Sequence, residues 1–128
     1  MNRRQATFAL AALAIAPQAA ADAVPAVSAR ARALYARAIV VDANLAPPLQ
    51  DTLPLPKAAL DMTRGAGVTV MKTTLGGFNE RFEDTVGEIA LVQRTIDVHP
   101  DVFLQVRGGG DIDRAKREGR TGVIFSFE

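Results

Sequence analysis

Four short runs of apolar, largely β-branched residues recur along the chain, separated by segments with the spacing and punctuation of helices. The first, Ala38-Ile39-Val40-Val41-Asp42, is continuous rather than alternating, the pattern of a strand covered on both faces. The second, Gly67-Val68-Thr69-Val70-Met71-Lys72-Thr73-Thr74, is nearly so and is broken by Gly76-Gly77. Val102-Phe103-Leu104-Gln105-Val106 is the third. Thr121-Gly122-Val123-Ile124-Phe125-Ser126-Phe127-Glu128 is the fourth and ends on a carboxylate.

The intervening segments complete a β-α-β-α-β-α-β order. Pro47-Pro48 and the stretch from Gln50 to Pro56 read as loop, because proline forbids regular structure there. Pro56 suits a first helical position, Lys57 to Arg64 follow, and Gly65 is the expected stop. Between Phe82 and Val98 the residues Phe82, Val86, Ile89, Val92 and Ile96 form one stripe at the helical period. Glu80, Glu83 and Asp84 crowd its start, where the helix dipole favours them, and Pro100 ends it. His99, before that proline, is expected to be a solvated helix-end residue. Gly108-Gly109-Gly110 forms a turn, with Asp111 as the expected N-cap of a helix from Ile112 to Glu118. A Gly-rich turn between strand and helix can also cradle a phosphate, although no spaced glycine fingerprint and no following lysine accompany it. Ahead of the first strand, Val27 to Ala38 reads as a short helix. Its Arg30, Arg32 and Arg37 form a solvated face or a surface for an anion.

Strands alternating with helices predict an α/β fold with a parallel sheet, right-handed crossovers and successive strands as neighbours. In a parallel α/β barrel the chemistry sits at the C-terminal ends of strands. Glu128, and Asp42 at the end of the first run, occupy such positions.

A length of 128 residues fits one domain. Without cysteine there is no disulfide framework and no thiolate nucleophile or ligand, and a single histidine excludes a multi-histidine metal site within the chain. A net charge of +1 gives no electrostatic case for nucleic acid.

Even that small basic excess belongs to the N-terminus. Met1-Asn2-Arg3-Arg4-Gln5 is a positive n-region, Ala6 to Ala16 an apolar h-region, and Pro17 to Ala21 a small-residue cleavage site. This is the layout of a secretory signal peptide over residues 1–21, with Arg3-Arg4 compatible with twin-arginine export. The h-region is too short to span a bilayer, which takes about 20 apolar residues. Removing Arg3 and Arg4 leaves 13 of the 15 basic residues against 14 acidic ones, a net charge of −1. The expectation is an exported protein, periplasmic or extracellular, whose domain spans residues 22–128.

Several stretches together resemble the membrane (renal-type) dipeptidases. Ala33 to Asp42 is similar to that family's opening, and Leu60 to Thr74 to its short helix and following strand. Val92 to Asp101 is similar to its long helix and exit, and Asp111 to Arg120 to the helix leading into its metal-bearing strand. The resemblance implies the N-terminal half of a (β/α)8 barrel, a TIM-barrel zinc hydrolase that cleaves dipeptides with two metal ions. By position it implies that Glu128 is the carboxylate bridging both metals. Two departures stand beside it. The family carries His-x-Asp after its first strand, where this chain has Asn44 and Ala46. The family's later histidine and aspartate ligands have no counterpart in these residues. Four strands do not close a barrel, so exposed edges are expected, covered in a homodimer or by a complementing C-terminal half. The competing reading is a non-catalytic exported α/β binding module.

Overall fold

The computed structural model describes residues 26–48, 52–77 and 81–127. The segment read as an export signal and the carboxylate of Glu128 therefore lie outside the described residues. Eight elements alternate: α1 (Ala29–Arg37), β1 (Val41–Asp42), α2 (Lys57–Ala66), β2 (Val70–Leu75), α3 (Phe82–Val98), β3 (Phe103–Gln105), α4 (Gly109–Glu118) and β4 (Thr121–Phe127). All pairings are parallel, in one four-stranded sheet. The α/β class with helical crossovers is thus as the sequence predicts, and the sheet is compatible with half of a (β/α)8 barrel.

The strand order is β1-β2-β4-β3, which departs from neighbours in sequence order. β2 and β4 pair over six positions, from Val70 with Gly122 to Leu75 with Phe127, while β3 pairs only with the first three residues of β4. The longest ladder lies between the two central strands. A six-residue strand gains most from a partner that matches its whole ladder, and the three-residue β3 cannot supply one. Gly122 permits the close fit at the centre, since a Cβ there would lie 2.6 Å from Val106 Cγ2 and 3.2 Å from Val70 Cγ2.

Val70 and Leu104 are buried on one face of the sheet, and the larger core cluster lies on the other. Met71, Leu75, Phe103 and Val123 pack there with Val92 and Ile96 of α3 and with Leu55 from the loop before α2. The expected stripe on α3 is therefore half right. Val92 and Ile96 are buried and Ile89 packs against the cluster, but Phe82 and Val86 are exposed. The first strand is the larger correction. β1 has two ladder residues, both exposed, and Ile39 retains 50% of its accessible surface. It sits at the sheet edge, and among the described residues β2 is its only strand neighbour.

Two helix ends differ from expectation. α2 runs through Gly65 to Ala66 and stops at Gly67, whose φ of 66° is the left-handed conformation that a helix C-cap requires. α4 begins at Gly109, three residues before Ile112, so Asp111 is inside its first turn rather than at the cap. α1 is capped as its sequence allows, with Ser28 Oγ accepting from Ala31 N at 3.1 Å.

Candidate functional site

Because the strands are parallel, the C-terminal ends of β1, β2 and β4 share one rim. Asp42, Leu75 and Phe127 end these strands, and Glu128 directly follows Phe127 in the sequence. The register places Asp42 beside Met71, so β1 ends well below the top of β2. Asp42 Oδ1 accepts from Asn44 N at 2.9 Å, closing a tight turn that carries the chain away from the sheet. Asn44 and Ala46 are exposed in that loop, whereas Pro47 is buried.

On β2, Met71, Thr73 and Leu75 are buried and alternate with the half-buried Lys72 and Thr74. In register beside them on β4 stand Ile124 and Ser126. Side chains alternate across a strand, so Lys72, Thr74, Ile124 and Ser126 form a partly polar row on the face opposite Met71, Leu75 and Val123. At the end of β2, Gly76 takes φ 74° and its N–H donates to Glu88 Oε2 at 2.9 Å, tying the rim to α3. A Cβ at Gly76 would lie 2.9 Å from Thr85 Oγ1.

Of the residues singled out from sequence, Asp42 and Asn44 come together at the rim, Glu128 lies outside the described residues, and His99 is elsewhere. His99 is not solvated. It is buried at the C-cap of α3, and its Nε2 accepts from Leu55 N at 2.8 Å. Burial follows because the loop before α2 folds back over the helix end, with Leu55 entering the core. With that nitrogen engaged, His99 serves as a brace. Among the described residues no group of three or more His, Cys, Asp or Glu could hold a metal ion.

The glycine turn is also accounted for within the chain. Asp111 Oδ2 accepts from Arg107 N at 2.9 Å and Gly108 N at 3.1 Å, and Oδ1 accepts from Arg114 at 2.8 Å. The backbone N–H of Arg107, foremost, holds the Asp111 carboxyl below its ordinary value, aided by Gly108 N–H and the charges of Arg114 and Arg107. A carboxylate of this protein already fills the place that a phosphate would take at the start of α4.

No family model matches this chain, and no curated protein matches it. Among solved structures it is similar to the crystal structure of an amidohydrolase from Pseudomonas aeruginosa, with 28% identity and a TM-score of 0.59. The match covers 76% of this chain and 28% of that one, so this chain spans little more than a quarter of that protein's length. The kinship in evidence is thus with an amidohydrolase, at the level of fold and distant sequence.

Proposed function

We propose that this chain is the N-terminal portion of an exported metallohydrolase of the membrane dipeptidase type, acting on dipeptides, with Glu128 as a metal-bridging carboxylate. The observation that supports it most is the common rim: three parallel strands end on one side of the sheet, and Glu128 follows the longest of them. Barrel hydrolases keep their reacting groups at that end of the strands. The likeness to an amidohydrolase over most of the chain supports the same lineage. Residues 1–21 supply the export signal.

The described residues do not fit a pair of zinc ions by themselves. Zinc takes thiolate, imidazole and carboxylate ligands. Asn44 offers an amide and Ala46 nothing where the resemblance calls for His and Asp. Asp42 already accepts a hydrogen bond within its turn. This chain is therefore assigned one carboxylate and the rim that carries it, not a complete hydrolytic centre. A complementing C-terminal half would bring the further ligands and cover β1.

Calorimetric titration with zinc tests the assignment. The expected result is weak, saturable binding that Glu128→Ala removes. Binding unchanged in Glu128→Ala, or none at millimolar zinc, would overturn the role of Glu128.

A second reading, a non-catalytic exported binding module that works as a homodimer or with a partner, is favoured by the donor set just described and by the exposed Ile39 and Val41 at the sheet edge. It gains if the zinc titration is flat while the chain self-associates.

A further inference from the structure

A cavity of about 990 Å³ opens at the opposite end of the sheet, where β2 and β4 begin. α1 forms one wall with Ala31, Arg32 and Tyr35, the last turn of α4 forms the facing wall with Lys116, and Val68 lies between them. No residue of α1 is buried. The helix is held by Tyr35, whose hydroxyl donates to Ala66 O at 3.0 Å and whose ring edge approaches Gly67. Ala31, Arg32, Tyr35 and Ala36 of the helix line the gap.

Among the described residues the charged side chains lining this gap, Arg32, Arg64, Lys116 and Arg120, are all basic, and no carboxylate lines it. Two of them are neutralised from outside the lining, Arg64 by Asp101 and Arg120 by Glu118. The other two have no counterion among the described residues. Arg32 donates to the Val27 carbonyl, a contact that holds its guanidinium without cancelling its charge. Lys116, half-buried, has no side-chain partner among the described residues. Arg32 on α1 and Lys116 on α4, both without a counterion among the described residues, line the same largely apolar cavity, a combination that suits a small molecule with an apolar body and an anionic head. Apolar pockets of roughly 300–1,000 Å³ with a few placed polar groups are the usual form of small-molecule sites.

We propose that this cavity binds an amphipathic carboxylate, with its chain along Ala31, Tyr35 and Val68 and its head between Arg32 and Lys116. The site lies on the other rim from Asp42 and does not depend on the proposed hydrolase lineage.

The test is calorimetric titration of the full chain with laurate, kept below its micelle concentration, with dodecyltrimethylammonium as the matched cation. The expected result is saturable micromolar binding of laurate and none of the cation. Lys116→Met and Arg32→Met, which keep an apolar stem, should each weaken laurate at least tenfold, while Met62→Glu on the far side of α2 leaves it unchanged. Ala31→Trp, which fills the cavity, should abolish binding with the far-ultraviolet circular dichroism retained. No saturable heat up to millimolar laurate overturns the proposal. So does equal binding of the cation, or laurate affinity untouched by Ala31→Trp and by both methionine variants.

Discussion

The centre of the sheet and its β1 edge are built from nearly the same kind of sequence and end in opposite environments. Val68-Thr69-Val70-Met71 leads into a strand with a partner on each side, and Val70 and Met71 are almost wholly buried. Ile39-Val40-Val41 is as apolar and as β-branched, yet Val41 keeps 54% of its accessible surface. Both backbones are paired: Val40 N donates to Thr69 Oγ1, and Val40 O accepts from Thr69 N and Val70 N. Local propensity therefore suffices to make a strand, while burial depends on what lies on the second side. The β1 edge has the sequence of a central strand and, among the described residues, the surroundings of an outer one.

The sharpest way to break this contrast is truncation on the two sides. Met71→Ala should cost about 2–5 kcal/mol, as buried Met, Leu and Ile truncations do. Val41→Ala, one strand away, should cost within about 0.5 kcal/mol, as at other surface sites. Equilibrium urea denaturation measures both. Similar costs would mean that the edge is covered in solution. His99→Ala comes next. It removes the acceptor of the buried Leu55 N–H, and an orphaned buried donor costs about 1–3 kcal/mol. Hydrogen exchange at the Leu55 amide should accelerate with the loss of stability. If the amide stays protected, the loop before α2 is held by the Leu55 side chain alone.

What sequence could reveal divides along the same line. The four runs were legible as strands because β-branched continuity is a local property, and parallel pairing followed from the helices between them. The place of β3 outside β4 was not, since it depends on ladder length against a partner far along the chain. The start of α4 is not legible because glycines are poor helix formers, so Gly109 and Gly110 read as turn although Asp111 fastens them into a first turn. His99 carried no local sign of burial; the apolar Leu53 and Leu55 in a loop were the available hint. At the candidate rim, the end positions of Asp42 and of the last strand could be read directly. The basal cavity could not, because its lining comes from four elements with no common spacing, and Arg32 reads as part of a solvated helix face.

A smaller effect tests the helix that delivers the chain into the central strand. Asp111 is stabilised as a carboxylate by the N–H groups of Arg107 and Gly108, so its folded pKa lies below the unfolded value near 3.8. Its contribution is present above that unfolded value and is lost as pH falls through the lower folded one. The wild type should therefore exceed Asp111→Asn in thermal stability at neutral pH, and the gap should close as pH drops below about 3.8. A gap independent of pH would assign the effect to hydrogen-bond geometry rather than to charge.

The smallest effect on folding is expected at the edge itself, where association is what should change. An edge strand with exposed apolar side chains is a template for pairing with another chain, and a lysine there is a recurrent defence. Val41→Lys should leave the unfolding free energy within about 0.5 kcal/mol of wild type, since Val41 is exposed. It should, however, shift the light-scattering mass at high protein concentration from oligomer toward monomer. An equal mass for both proteins would show that β1 is not the contact surface. A large loss of stability in Val41→Lys would show more, namely that the edge is folded against something in solution and that the contrast with β2 is one of partners rather than of exposure.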